Sequence, residues 1–155
     1  MSTVVIPQPR PADTAEPPIV NTFFWPDVDL QRLRETLRYE GTITAARLRQ
    51  AVKTAISEVN AELYDYRAEQ MASGFPVLSD VPADMLDGES EKLTNYFDAV
   101  SHLTAATIVE RYRGYDANGT KKADEIKASA DEYWRDARFS ISKIAGKRPC
   151  IIGLL

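Results

Sequence analysis

This sequence is short of the residues on which most protein chemistry is built. It holds one cysteine, Cys150, and one histidine, His102. A lone cysteine excludes an internal disulfide framework and fits a reducing compartment. A lone histidine excludes a multi-histidine metal site within one chain. No apolar run is long enough to span a bilayer, so no membrane partner is expected. The opening MSTVVIPQPRPADTAEPP has neither a basic n-region nor a continuous apolar h-region, so it does not read as a secretory signal. Also missing are a Gly-rich phosphate loop, an internal repeat and any sustained alternation of the kind that strands need. An excess of positive charge is lacking too: 19 Lys and Arg against 23 Asp and Glu leave a net charge of −4. That balance argues against general nucleic-acid binding, because phosphate contacts want a basic face.

What remains is an ordinary globular composition. The 155 residues are 44% hydrophobic and 27% charged, which suits one domain with chain left over for arms. The expected setting is the cytosol, or assembly within it. Residues 1–22 carry Pro7, Pro9, Pro11, Pro17 and Pro18 out of nine prolines, and read as a flexible, extended arm. Such an arm either wraps a neighbour or remains a disordered tail.

Order is expected from Phe23-Phe24-Trp25 onward. Asp29 can cap a short helix over 30–39 whose Leu30, Leu33 and Leu37 share a face, with Gly41 ending it. Thr42 or Thr44 opens the longest helix, running to about Met71. Its stripe is Leu48, Val52, Ala55/Ile56, Val59, Leu63 and Tyr66. Ser73-Gly74-Phe75-Pro76 stops it. A Pro/Gly-containing connection over 74–90 follows, in which Pro82–Leu86 could form a helical turn. Ser90 starts a helix with Leu93, Phe97, Val100, Leu103 and Thr107/Ile108 on its apolar side, ending near Gly114. The last helix runs over 121–145, with Ile126, Ala130, Tyr133/Trp134, Ala137, Ile141 and Ile144 inward, and Gly146 closes it. The fold class is all-α: a small bundle of one short and three long helices over 23–146, with a flexible N-terminal arm and an extended tail over 147–155.

Catalysis has little to stand on. His102 sits on a helix beside Val100 and Leu103 and reads as a satisfied or partly exposed side chain. Cys150 has only Lys147 and Arg148 nearby, a weak cationic setting with no fixed base. Gly114 to Glu125, GYDANGTKKADE, resembles a calcium loop with Asp116, Asn118, Gly119 and Glu125 in register. Gly114, however, stands where the first ligand must be, and Lys121 and Lys122 add repulsion. It reads as an Asn-Gly turn between helices. The acids Asp84, Asp87, Glu89 and Glu91 lie in or near a loop where carboxylates are solvated, with no sign of a raised acid. No enzyme activity, metal or cofactor is expected.

Two surface features point instead to contacts. Arg32, Arg34, Arg38, Arg47, Arg49 and Lys53 crowd the first helix and the start of the second, while acids concentrate at 58–69 and 80–91. Opposed charged ends suit the head-to-tail contacts that close rings, with Arg34 and Arg38 as candidate subunit contacts. A merely solvated face accounts for the same charges. The second feature is the ending Pro149-Cys150-Ile151-Ile152-Gly153-Leu154-Leu155. Pro149 disfavours helix at Arg148, and the β-branched residues that follow suit an added strand on a partner's sheet edge. The alternative is that Ile151, Ile152 and Leu154 fold back over the bundle.

The segment FFWPDVDLQRLRETLRYEGTITAARLRQAVKTAISEVNAEL, residues 23–63, resembles the opening of the phage head completion protein family, type L. The likeness lies in Phe24-Trp25-Pro26, the capping Asp29, Leu33-Arg34 with Leu37-Arg38, the turn from Gly41 to Thr44, and Ile56 to Leu63. LTNYFDAVSHLTAATIVERYRGYDANGT and the helix around Tyr133-Trp134-Arg135 are similar to the family's downstream half, so the resemblance covers about 20–148. It implies a structural virion protein of contractile-tailed temperate phages, with no catalytic residues to carry over. It implies binding to the portal vertex after DNA packaging, as a ring expected to be dodecameric, stabilising the filled head and preparing attachment of a tail or neck protein. The expected location is the head–tail junction of the virion, reached from the host cytoplasm, and DNA contact in the ring's lumen is left open. The tail's partner would be the portal or a neighbouring subunit. From other classes, a dimeric helical regulatory module and a degenerate calcium-binding protein stand as alternatives.

Overall fold

The computed structural model describes residues 16–37, 43–112 and 120–147, with the backbone alone for 112 and 120–128. Among them are α1 (Leu30–Leu37), α2 (Ala45–Glu62), α3 (Tyr64–Ala72), β1 (Met85–Leu86), β2 (Glu89–Ser90), α4 (Glu91–Tyr112) and α5 (Thr120–Ile144). A 3-10 turn at Leu78–Asp80 lies in the connection. Among the described residues the protein is all-α apart from one minimal hairpin.

Local chemistry sets the helix starts. Asp29 Oδ1 accepts from the amides of Gln31 (2.8 Å) and Arg32 (3.3 Å), satisfying donors that an unfinished helix leaves orphaned. Thr44, in extended backbone, accepts from the Arg47 amide and caps α2. At the end of α3, Gly74 takes φ 96° while the Phe75 amide reaches the Gln70 carbonyl at 3.0 Å, a Schellman ending. The expected cap at Gly41 lies outside the described residues.

Packing settles the rest. The stripe expected on α2 is the one buried: Leu48, Val52, Ala55, Ile56 and Val59. The single helix expected to reach Met71 is instead broken at Leu63, which is itself buried, and α3 beyond it buries no residue. Past Leu63 only the half-buried Tyr66 still packs against the core, which is too little to hold α3 along the bundle. α4 is the central element, packed on α1, α2 and α5. It buries Tyr96, Ala99, Ser101, Thr104, Ala105 and Ala106 as well as the expected Phe97, Val100, Leu103 and Ile108. A helix enclosed by neighbours has no single apolar stripe. On α5, Ala130, Ala137 and Ile144 are buried as expected, and the Ile126 side chain lies outside the described residues.

Two departures from the sequence reading stand out. Pro82–Leu86 is no helical turn. Met85 and Leu86 pair antiparallel with Ser90 and Glu89 around Asp87-Gly88, both at positive φ (50° and 77°), the two-residue turn whose twist matches a hairpin. Residues 16–22, assigned from sequence to the arm, run along the bundle. Ile19 exchanges backbone hydrogen bonds with Val28 at 2.9 and 3.0 Å and is buried.

Candidate functional site

The aromatic entry is pinned by a closed polar network. Trp25 stacks on Tyr96, centroids 5.0 Å apart at 11°, with Phe24 edge-on to Trp25 at 4.7 Å. The Tyr96 hydroxyl donates to Asn60 Oδ1 at 2.7 Å and accepts from Asn21 Nδ2 at 2.7 Å. Asn60 Nδ2 in turn donates to Asn21 Oδ1 at 3.0 Å. Burial pushes the Tyr96 phenol far above its ordinary range, with the Asn21 hydrogen bond pulling weakly the other way. This junction holds residues 19–28 to α2 and α4.

The charged ends expected from sequence are each anchored within the chain. Arg32 makes a bidentate pair with Glu89 at 3.0 and 3.1 Å, joining α1 to the acidic hairpin. That pair raises Arg32 and lowers the Glu89 carboxyl, chiefly through the shared hydrogen bond. Arg34 reaches Glu16 at 2.7 Å, and its Nη1 donates to the Ile43 carbonyl at 3.1 Å. Thus Arg34 braces the approach to α2 from within. Arg38 lies outside the described residues, as do Pro149, Cys150, Ile151, Ile152, Leu154 and Leu155 of the tail.

Chemistry of a catalytic kind is not assembled among the described residues. His102 is half-buried, its ring 6.3 Å from that of Tyr133, and its Nδ1 has no hydrogen-bond partner there. Asp98, one turn earlier, has its carboxyl raised by burial, with His102, Arg32 and Lys143 offsetting part of that. Lys92 Nζ donates to the Ile144 carbonyl at 2.9 Å and closes the end of α5, and burial lowers its ammonium. No group of three His, Cys, Asp or Glu side chains converges as a metal site among the described residues. The loop 114–119 falls outside them. None of the described helices is long and apolar enough to cross a membrane.

What the described surface does offer is contact chemistry. Met85 and Leu86 stand exposed on the hairpin, and an apolar groove opens between α2 and the end of α4. The sequence reading missed both. The Asp87-Gly88 dipeptide signals the hairpin, whereas no local signal marks a groove whose walls come from residues 43 to 111.

A family model described as Phage head completion protein (GPL) matches residues 19–155 of this chain. The match starts at Ile19, the residue that pairs with Val28. A "Head completion/stabilization protein" of Escherichia phage P2 is 52% identical over 152 residues, covering 97% of this chain and 88% of that protein. No solved structure matches.

Proposed function

We propose, because this chain belongs to the phage head completion protein family, that it completes filled heads by adding as a ring to the portal vertex. In this reading it is a structural protein of the head–tail junction, assembled in the host cytoplasm. The ring extends the portal, stabilises the packaged head and presents a surface to a tail or neck protein. The observation that carries the reading is the end-to-end likeness to the P2 head completion/stabilization protein, at 52% identity.

The fold is consistent with that work. The helical body carries an acidic hairpin at the start of α4, already paired with Arg32, and Arg47 and Arg111 towards the end of that helix, which suits repeated contact between copies. Arg34 and Arg38 are the candidate subunit contacts of the basic region in this reading, Arg34 acting indirectly, because within the chain it is held by Glu16 and the Ile43 carbonyl. The tail from Pro149 to Leu155 supplies the portal-binding strand, main-chain pairing giving affinity and alternate side chains such as Ile151 filling pockets.

Truncation after Arg148 is the test. The expected protein melts close to the intact chain but no longer co-assembles with the portal or restores infectious heads to a phage lacking its own head completion protein. A truncated protein that melts far lower yet still completes heads would instead place the tail in the fold. Negative-stain imaging of portal mixed with the intact chain reads the ring directly, and a stable free dimer with no portal binding would overturn the ring.

A further inference from the structure

The projecting end of the hairpin carries two apolar side chains beside its Asp87-Gly88 turn, for which no contact among the described residues accounts. Met85 is 63% exposed and Leu86 61% exposed, on strands of two residues each. The turn itself is polar, as such turns ordinarily are, but large apolar side chains exposed beside it gain nothing there. Yet this tip is firmly rooted. Ser90 is buried at its base, the Glu91 amide donates to the Asp84 carbonyl at 2.9 Å, and Glu89 is held by Arg32. Asp84 and Asp87 flank the tip, both exposed and without an ion pair among the described residues.

At the other end of α4 lies a surface of complementary character. A groove of about 370 Å³ is walled by Ile43, Ala46, Ala51 and Ile108, with Arg47 and Arg111 beside them. The small side chains of Ala46 and Ala51 leave the hollow, and Arg34 fixes one wall by holding the Ile43 carbonyl. Both Arg47 and Arg111 are exposed and make no ion pair among the described residues. The groove is therefore apolar with cations at its edge, where the hairpin is apolar with anions at its edge.

We propose that the Met85–Leu86 tip of one copy seats in the Ile43–Ile108 groove of the next, with Asp84 and Asp87 meeting Arg47 and Arg111. Alternate strand residues face opposite ways, so one side chain of the pair enters and the other lies over the rim. A chain cannot satisfy its own groove, since α4 separates the two surfaces by much of its length of about 33 Å. Each copy that engages by one end still offers the other. Such a heterologous contact repeats until it closes, which is the geometry of a ring. This contact rests on the ring reading above and supplies its two faces.

Cross-linking the full-length chain tests it. In a Cys150→Ser background carrying Leu86→Cys and Ala46→Cys, a short bismaleimide is expected to give a ladder of linked multimers at high protein concentration. Asp84→Lys with Asp87→Lys, or Arg47→Glu with Arg111→Glu, should each cut the linked fraction at least tenfold. Mixing the two swapped proteins should restore it, because one interface then pairs Lys with Glu and the other Asp with Arg. Circular dichroism checks each swap, and the single changes Asp87→Lys and Arg111→Glu replace any double that fails to fold. An absent ladder, a ladder indifferent to the swaps, or a mixture that stays unlinked overturns the contact. So do dimers from Leu86→Cys alone, which mark tip-to-tip association. Head completion in phage is scored separately: completed heads without a ladder sink this contact alone, whereas a ladder without completion supports it and counts against the head-completion role.

Discussion

Tyr96 on α4 donates its hydroxyl proton to Asn60 on α2 at 2.7 Å, and Asn21 from the N-terminal segment closes the circuit onto both. Three residues distant in sequence thereby satisfy one another at the place where the aromatic entry meets the bundle. A buried polar group left without its partner costs more than the hydrogen bond itself contributes.

Tyr96→Phe should accordingly destabilise the fold by about 1–2 kcal/mol in urea denaturation at neutral pH. It should also change the alkaline behaviour. Burial raises the folded-state phenol above its unfolded value near 10, so the contribution is whole below that pH and declines as pH rises through it. Tyr66, also raised by burial, acts in the same direction. The wild type should lose stability between about pH 10 and 12, and Tyr96→Phe should lose visibly less over that window.

Ile19→Ala should cost about 2 kcal/mol or more, because Ile19 is 6% exposed and joins the main core. Thermal melting reads this. A change indistinguishable from Val20→Ala, at an exposed neighbour, would detach the segment from the fold.

Arg32→Gln should lower global stability by less than about 1 kcal/mol, since the pair with Glu89 is largely solvated. Its effect should be local and pH-dependent. Glu89 is lowered by Arg32, so the pair's support is present above the ordinary carboxylate range and fades as pH falls through the depressed value. Protection of the amides at 84–91, taken relative to intrinsic exchange at each pH, should fall in acid for the wild type, and already at neutral pH for Arg32→Gln.

Gly88→Val should strain the hairpin at φ 77° at a cost of about 1–2 kcal/mol, although open space surrounds the missing Cβ. A melting temperature lowered by about 2–8 °C, with disturbed resonances confined to 84–90, is the expected signature, and an unchanged hairpin spectrum would refute it.

Calcium in the millimolar range should shift the melting temperature by less than about a degree, because binding stabilises only as ligand exceeds its Kd. Gly114 in the first ligand position and Lys121 and Lys122 beyond it are the reason. A saturable shift removed by Glu125→Gln would reverse this.

Much of the helical framework was legible residue by residue. The caps Asp29 and Thr44, the stop at Ser73-Gly74 and the stripe of α2 all appear where local chemistry puts them. The break at Leu63 was not legible, since the apolar spacing continues through Tyr66 while full burial stops at Leu63. Nor was the enclosure of Ser101 and Thr104, whose polar side chains point to a surface until neighbouring helices cover them. The β1–β2 pairing was too short to show alternation, and only Asp87-Gly88 announced it. As for contacts, the opposed charges of 32–53 and 80–91 were visible in order along the chain, but not which of them are already spent on each other.

The amino-acid order alone determined the helical class, the main capping positions and the likeness to head completion proteins. These depend on residues three or four apart, or on short features recurring in sequence, and need no knowledge of what lies across the core. Only the tertiary structure decided that Arg32 and Arg34 are bound within the chain while Arg47 and Arg111 make no ion pair among the described residues, and that Ile43 and Ile108 share one groove. Ion pairing and burial are set by distances between remote segments, and those distances exist only once α4 has been enclosed.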